Sequence, residues 1–378
     1  MINPFVYSQP VSSEALLDRD SESRLLLDRA LGGHNSRVVA PRRYGKTSLL
    51  RRVLADVENE GLTGVYVSFF GVLTPADIAQ RVERAYSEQL TGRLAAWFSG
   101  LRRSLRPSVG AHAGVPGVGG QFSVAVEPPE QSLLDRLALP RRLYEHKGSR
   151  TIVVFDEFQD VLSAGQRMDA VIRSEIEHHG DAASYIFAGS HVGMMRELFA
   201  SKRRAFYGQA GPVELGPLAG PDIAEELNAR FEAGGRQLRG ALDLLLDVAQ
   251  GHPQRTMLLA HFLWELSARG TLVDEAVFAR ALDHVLDVEV SDELRAIWSN
   301  LPDTQRRVLA AVADNAAGLY SAATRERFGG GRGGYIKQAV KALVDAGELV
   351  ADETSPTRYR LVDPLLALWI RDRRAHAG

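Results

Sequence analysis

One short segment constrains this chain more than any other: a Gly-Lys-Thr turn between an apolar run and an amphipathic helix pattern. The apolar run covers residues 38–40 and the turn residues 45–47. Apolar residues then recur at helical spacing, at Leu49, Leu50, Val53, Leu54 and Val57. In the order strand, loop, helix, backbone N–H groups and a helix N-terminus face an anion. The sequence therefore predicts a phosphate-binding loop that opens an α/β sheet.

The loop at residues 40–47 fits the P-loop pattern, except that Ala40 stands where the first glycine usually does. Gly45 lets the backbone wrap around phosphates, Lys46 is expected to contact the β- and γ-phosphates, and the Thr47 hydroxyl is expected to bind Mg²⁺. A turn that arose by chance would not explain the strand before it and the helix after it. The residues expected to bind the nucleotide are Pro41, Arg42, Arg43, Tyr44, Gly45, Lys46, Thr47 and Ser48.

An acidic pair follows further along the chain. Residues 151–155 have the apolar pattern of a buried strand and are followed by Asp156 and Glu157. Carboxylates at the carboxyl end of a parallel strand lie at the ligand-binding edge of the sheet. We expect Asp156 to hold Mg²⁺, largely through water, and Glu157 to orient and polarise the attacking water. The alternative is that both carboxylates only cap a helix.

Strand and helix patterns alternate up to about residue 219, which predicts a parallel sheet with helices on both faces. After residue 221 the pattern is helical only, and the last segment has about three helices followed by two short strands, as in a winged helix-turn-helix. The predicted domains are a P-loop core at 1–219, a helical lid at 220–297 and a winged helix at 298–378. A Gly/Pro-rich insertion at about 104–129 is expected to form a hairpin or a mobile loop.

Three further sites are candidates for nucleotide contacts. Ser190 follows the fourth predicted strand, where a hydroxyl can contact the γ-phosphate or the attacking water, but it is equally an ordinary turn residue. His252 and Pro253 lie between two helices of the predicted lid. Proline can open the next helix and histidine can contact a nucleotide, although the segment can also be a mere helix break. Arg255 is a second candidate in the lid for contacting phosphate.

Composition narrows the choice of partners. The 45 basic and 47 acidic residues give a net charge of -2, so no overall field attracts nucleic acid or anionic lipid. The chain has no cysteine, which excludes disulfides, thiolate metal sites and cysteine nucleophiles and fits a reducing compartment. No signal-peptide pattern and no membrane-length apolar run is present. We therefore expect a cytoplasmic protein without a membrane segment.

The nature of the base follows from motifs that the sequence lacks. There is no Asn-Lys-x-Asp motif of the kind that reads guanine, so adenine is favoured, and ATP with Mg²⁺ is the expected ligand. There is also no Leu-Ser-Gly-Gly-Gln signature of transporter-type ATPases.

The motifs at residues 41–48, 154–159, 188–190 and 251–253 together resemble those of prokaryotic STAND signalling ATPases, which are related to AAA+ proteins. The likeness is closest to the archaeal ATPase family and its actinobacterial relatives, and it extends to Asp363, Pro364 and Trp369 near the C-terminus. The resemblance implies an ATP-hydrolysing switch whose open and closed lid states have different partners.

By the same resemblance, the nucleotide is expected between core and lid, with residues 17–20 near the adenine. One departure concerns an arginine that follows a Tyr-Gly pair in many relatives, because Gln209 stands at that position here. Arg203 or Arg204 would have to replace it.

The C-terminal segment leaves its partner open. Its expected recognition helix, residues 335–346, carries Lys337 and Lys341, and further basic side chains lie at Arg332, Arg358 and Arg360. Residues 301–378 contain twelve basic and nine acidic residues, a small surplus for a nucleic-acid footprint. Packing on the core, an unknown protein partner or self-association is favoured over DNA binding through 332–360. The alternative function is an ATP-regulated DNA-binding protein; an ATP-binding scaffold without hydrolysis is disfavoured by Glu157.

Overall fold

A computed structural model describes residues 2–10, 16–104, 129–328 and 333–377. Five parallel strands form its central sheet, in the order β2-β3-β4-β1-β5. The strands are β1 (Ser36–Val39), β2 (Thr63–Ser68), β3 (Thr151–Asp156), β4 (Ala183–Gly189) and β5 (Gly211–Glu214). Because neighbouring strands run in one direction, their carboxyl ends lie along a single edge of the sheet. The ends of β1, β4 and β3 are therefore adjacent there.

Helices cover both faces of this sheet. They are α1 (Asp20–Leu31), α2 (Lys46–Asn59), α3 (Pro75–Gln89), α4 (Gly92–Ser104), α5 (Pro129–Leu137), α6 (Leu139–Lys147), α7 (Met168–Ile176) and α8 (Val192–Ala200). Alternate residues of β3 enter two different cores: Val154 packs with α1 and α2, whereas Val153 and Phe155 pack with α3, α5, α7 and α8. All six residues of β3 are buried, as a strand covered on both sides requires.

Two details of this half differ from the sequence prediction. The helical pattern of residues 133–146 predicts an interruption at Pro140. The break lies slightly earlier, at Ala138, because α6 begins at Leu139 and accommodates the proline in its first turn. The sequence pattern predicts a fifth strand over residues 213–218, whereas β5 is shorter and begins earlier, at Gly211–Glu214. Of the Gly/Pro-rich insertion predicted at about 104–129, residues 105–128 lie outside the described residues, as does Arg332; Ser104 ends α4 and Pro129 begins α5.

The middle helices are α9 (Gly220–Ala233), α10 (Ala241–Ala249), α11 (Pro253–Glu265), α12 (Glu275–His284) and α13 (Ser291–Asn300). The sequence pattern predicted helices only, but two short strands, β6 (Gln237–Leu238) and β7 (Leu272–Val273), also pair in parallel here. Two residues are too few to give a strand periodicity that a sequence pattern could reveal. No helix among the described residues has the length and apolarity needed to cross a membrane.

The C-terminal segment contains α14 (Asp303–Ala313), α15 (Ala322–Phe328), α16 (Gly333–Ala346), β8 (Leu349–Ala351), β9 (Tyr359–Leu361) and α17 (Pro364–Ala377). The two strands pair antiparallel and form a C-terminal hairpin. Three helices followed by a hairpin match the predicted element order, with α17 in addition. The winged-helix assignment and the domain boundaries at 219 and 297 stay predictions.

The C-terminal hairpin packs beside the phosphate-binding loop. Val362 belongs to the core of α1, α2 and β1, and Val350 packs against it. Next to the hairpin, α16 approaches α8 closely: a Cβ on Gly193 would lie 2.6 Å from the Cβ of Asp345. Asp345 also accepts from Arg196 at 3.3 Å. The C-terminal segment is thus held against the sheet domain near the loop.

The N-terminal segment packs on the middle helices and not on the sheet. The Phe5 ring lies 5.0 Å from the ring of Phe231 and 5.9 Å from that of Trp264. Leu17 belongs to the same core. The start of the chain therefore lies against α9 and α11, which are distant from it in sequence.

Candidate functional site

The loop between β1 and α2 has the backbone geometry of an anion site. Arg43 and Gly45 have positive φ angles of 68° and 80°, and no side chain caps the helix that begins at Lys46. The first N–H groups of α2 therefore have no side-chain acceptor at its N-cap, and the helix dipole favours an anion there. Ala40 has an ordinary negative φ, which explains why glycine is not required at that position.

Lys46 lies in the centre of the site. Its Nζ is 3.1 Å from Asp156 Oδ1 and 2.9 Å from Glu157 Oε1, and its side chain is 7% exposed. A buried ammonium group needs such partners because the cost of desolvating a lone charge is high. The two carboxylates therefore neutralise the lysine, and a phosphate group would compete with them for it.

Asp156 and Thr47 form the candidate metal position. Thr47 Oγ1 donates to Asp156 Oδ2 at 3.2 Å, and the Glu157 N–H donates to Asp156 Oδ1 at 2.9 Å. No group of three or more His, Cys, Asp or Glu side chains among the described residues could hold a metal ion. A hydroxyl and one carboxylate suit Mg²⁺, which keeps most of its waters and binds substrate phosphates, better than a metal that needs an all-protein cage.

Glu157 is held in a fixed orientation. Its Oε2 accepts from Ser190 Oγ at 2.7 Å and from Gln159 Nε2 at 2.7 Å, whereas Oε1 faces Lys46. Its own backbone is left-handed, with φ of 50°, an uncommon conformation for a non-glycine residue. Burial alone would raise its pKa, but the Lys46 charge and these hydrogen bonds lower the pKa to about 2. Glu157 is therefore ionised at neutral pH.

A cavity of about 550 Å³ opens onto these groups, a size that suits a small-molecule ligand. The loop residues 41–48 form one wall, together with Glu157 and Ser190. The opposite wall comes from the N-terminal segment and the middle helices, and much of it is apolar: Val6, Pro10, Leu17, Leu218, Leu258 and Val290. The structure thus brings the expected phosphate contacts and an apolar pocket into one space.

His252 and Pro253 have different places. Pro253 lines the cavity and opens α11, whereas His252 is 3% exposed and is not among the described residues that line it. The His252 ring instead packs edge-on against Tyr44, with centroids 4.9 Å apart, and its Nδ1 accepts from the Arg255 N–H at 3.3 Å. The geometry makes His252 a link between the loop and α11, behind the cavity wall.

Replacing His252 by asparagine is expected to flatten the loss of stability in acid. Burial lowers the pKa of His252 from 6.5 to about 4, so between these values the unfolded chain binds a proton that the folded protein does not. The stability that the neutral, buried His252 contributes is fully present above about pH 6.5. As the pH falls below that value, the free energy of unfolding decreases by at most about 1.4 kcal/mol per pH unit. Asparagine can accept the same capping bond without titrating.

Thermal unfolding near neutral pH and at about pH 5 measures this effect. The control is His146→Asn, which replaces an exposed histidine and should leave the difference between the two unfolding temperatures as in the wild type. An acid destabilisation of His252→Asn as large as that of the wild type would contradict the expectation.

A chain of ion pairs connects the loop to the C-terminal segment. Arg255 is 1% exposed, and its guanidinium contacts Asp363 at 2.5 Å and Glu293 at 3.2 Å. Glu293 also accepts from Arg43 at 2.5 Å. Arg255 Nη1 is buried without a hydrogen-bond partner in the described structure. Arg255 lines the cavity, but its charge is directed at carboxylates outside the phosphate-binding loop.

Three residues of the site were not predicted: Tyr66, Gln159 and Glu293. Tyr66 lies in an apolar strand pattern, and its OH is 2.5 Å from Asp156 Oδ2. Burial and the charge of Asp156 raise the pKa of Tyr66, so the hydroxyl stays protonated and donates. The sequence signal that could have revealed Tyr66 was a hydroxyl-bearing residue within an apolar strand pattern that is followed along the chain by a strand ending in Asp156. Glu293 lies in the first turn of α13, where acidic residues are common, so no local motif marks it.

No protein-family model matches this chain, and no curated protein matches it. Among solved structures, it is similar to a Walker-type ATPase of Pyrococcus abyssi, with a TM-score of 0.70 and 20% identity over 97% of this chain and 99% of that chain. It is also similar to the ORC2 protein of Aeropyrum pernix in its ADPNP-ADP complexes, with a TM-score of 0.58 and 18% identity over 99% of this chain and 98% of that chain. These likenesses show the fold alone, and with the five-stranded sheet they confirm the predicted α/β class and its parallel sheet.

Proposed function

We propose that this protein binds Mg-ATP in the cavity and hydrolyses it to ADP and phosphate. The arrangement of Lys46, Asp156, Glu157 and Ser190 at the start of α2 carries the proposal, because it combines an anion site, a metal position and an oriented carboxylate on one cavity wall. The fold of the two solved ATP-related structures supports the same class. Residues 41–48 would cradle the phosphates, and the apolar wall would receive the base.

Thr47 and Asp156 would hold Mg²⁺ at the sheet edge. When bound, Mg²⁺ supplies positive charge beside the phosphates and neutralises charge that develops on them. The protein's part is to orient the Thr47 hydroxyl and one Asp156 oxygen, which already lie 3.2 Å apart.

Glu157 would act on the attacking water through one oxygen. Ser190 and Gln159 hold Oε2, so Oε1 becomes available once Lys46 turns to the phosphates. The Coulombic interaction with Lys46 is the strongest influence that lowers the pKa of Glu157. Its removal would raise that pKa and make the carboxylate a better proton acceptor when nucleotide is bound. Ser190 would thus serve as a positioning group as well as a contact near the γ-phosphate.

Phosphate release from ATP and from GTP by the purified chain, measured with nucleotide affinity by calorimetry, tests the proposal. We expect binding and slow hydrolysis of ATP, with weaker affinity for GTP. Binding without any hydrolysis would favour an ATP-binding scaffold, and absence of binding would overturn the proposal.

We further propose that the nucleotide drives a conformational switch of the signalling type. A series of ion pairs links Arg43 in the phosphate-binding loop to Glu293, Glu293 to Arg255, and Arg255 to Asp363. Asp363 closely follows the C-terminal hairpin. Phosphates at the loop would compete with Glu293 for Arg43, which would weaken the hold on Arg255 and Asp363. The position of the C-terminal segment would then depend on the bound nucleotide.

Replacing Asp363 by asparagine is expected to loosen the C-terminal hairpin in the nucleotide-free protein. Removing one partner of a buried pair costs about 3–5 kcal/mol, because Arg255 keeps its charge. Hydrogen exchange of residues 349–377 should become more than about tenfold faster, since each 1.4 kcal/mol is a factor of about ten. The control is Asp292→Asn on α13, whose side chain is 96% exposed.

The switch proposal also predicts that ATP changes exchange at 349–377 in the wild type and changes it much less in Asp363→Asn. Equal exchange in the two nucleotide-free proteins would show that Asp363 does not hold the hairpin.

The orientation of α16 supports a protein contact over DNA for the C-terminal segment. Lys341 is paired with Asp345, which also contacts Arg196 of α8. Tyr335, Lys337 and Lys341 are all exposed, but the charge of Lys341 is neutralised by Asp345. We therefore propose that the partner of the C-terminal segment is a second copy of the chain or another protein. We also propose, from the composition, that the protein acts in the cytoplasm.

A further inference from the structure

The side chain of Tyr66 lies on the edge strand β2, on the sheet face covered by α1 and α2. Tyr66 pairs in register with Val154, two residues before Asp156 on the neighbouring strand. Its hydroxyl reaches the end of β3 and donates to Asp156 Oδ2 at 2.5 Å. An aromatic residue that served only the core would not need a hydroxyl at this point.

The backbone of Tyr66 is fixed from the outer side of the sheet. The Gln89 side chain, at the end of α3, accepts from the Tyr66 N–H at 2.7 Å and donates to the Tyr66 carbonyl oxygen at 2.7 Å. Gln89 thus takes the place of a further strand at this position and satisfies both exposed backbone groups. Because Gln89 holds the backbone of Tyr66 and Asp156 accepts from its hydroxyl, the ring has little freedom to shift and the hydroxyl stays at Asp156.

Four donors hold the Asp156 carboxylate: Lys46 and the Glu157 N–H on Oδ1, and Thr47 and Tyr66 on Oδ2. Under the proposed function, two of these donors would have other tasks when Mg-nucleotide is bound, because Lys46 would contact phosphate and Thr47 would hold the metal. The Tyr66 hydroxyl and the Glu157 N–H then remain. Tyr66 is the only side chain of the four without another assignment.

We propose that Tyr66 is a positioning residue for the metal site, whose hydroxyl fixes the Asp156 carboxylate in the orientation that holds Mg²⁺. The inference rests on the proposed function, and it assigns to Tyr66 a role in the metal-dependent part of nucleotide binding. Partners of this kind orient a metal ligand, and their loss typically lowers metal affinity by about 10- to 100-fold.

Tyr66→Phe tests the inference, because it removes one hydroxyl and keeps the ring. Calorimetry measures ADP affinity in EDTA and then at increasing Mg²⁺ concentration. We expect unchanged affinity without Mg²⁺, which also shows an intact fold, and a requirement for about 10- to 100-fold more Mg²⁺ to reach tight binding. Tyr86→Phe is the matched control, since the buried Tyr86 hydroxyl has no hydrogen-bond partner in the described structure.

The outcomes separate the two proposals. An unchanged Mg²⁺ requirement in Tyr66→Phe, or an equal loss of ADP affinity with and without Mg²⁺, overturns the positioning role and leaves the proposed function intact. A wild-type protein that binds no nucleotide overturns the proposed function and, with it, the role of Tyr66.

Discussion

ATP affinity should fall by about 100- to 1,000-fold when Lys46 is replaced by alanine. Lys46 is buried and carries its charge at the start of α2 beside the loop. A unit charge about 4 Å from a phosphate oxygen near a protein surface contributes about 4 kcal/mol, and each 1.4 kcal/mol is a factor of about ten. The variant also leaves Asp156 and Glu157 without their cation, so the site becomes more negative and repels phosphate. Calorimetry with Mg-ATP measures the loss.

The control is Lys202→Ala, which removes an exposed lysine far in sequence from the loop and should keep wild-type affinity. Melting temperatures of both variants without nucleotide show whether the fold is intact. Unchanged ATP affinity in a folded Lys46→Ala protein would mean that the nucleotide does not bind at this loop.

The sheet could be predicted because its signals are local. Apolar runs such as residues 151–155 and the Gly-Lys-Thr turn each define an element from adjacent residues. The parallel arrangement then places the ends of β1, β3 and β4 at one edge, which is why Lys46, Asp156 and Ser190 could be expected together. Their roles stay predictions until they are tested.

The rest of the site depends on contacts between distant parts of the chain. Tyr66 reaches Asp156 only because β2 pairs with β3 in a particular register, and a tyrosine in a strand is usually a core residue. Glu293 and Asp363 meet Arg255 through the packing of α11, α13 and the C-terminal hairpin. No local pattern encodes these contacts, because they arise from the way the helices pack.

His252 illustrates a motif whose position was predicted and whose geometry was not. The Gly-His-Pro break lies between α10 and α11, and Pro253 lines the cavity. A side chain at the N-cap can cap its own helix or face a ligand, and the sequence alone does not distinguish the two. Here the His252 side chain accepts from the Arg255 N–H and packs against the Tyr44 ring.

Turnover should fall by about 100-fold or more when Glu157 is replaced by glutamine, while Mg-ATP still binds. Glutamine keeps the size of the side chain and can still accept from Ser190, but it cannot polarise the water with a negative charge, and general-base groups contribute about 10²–10⁴-fold. The Oε1 of Glu157 also competes with phosphate for Lys46 at 2.9 Å. Its neutralisation should therefore leave ATP affinity equal to that of the wild type or somewhat higher.

Phosphate release and nucleotide affinity, measured on the same preparations, separate catalysis from binding. Glu145→Gln is the matched control, because the Glu145 side chain is 65% exposed and the same charge is removed from the surface. Under the switch proposal, Glu157→Gln should also accumulate the ATP-bound conformation, with the hydrogen exchange at 349–377 that the wild type shows only briefly after ATP addition. Equal phosphate release by Glu157→Gln and the wild type would exclude Glu157 as the catalytic base, because no other change in the variant would compensate for the lost charge.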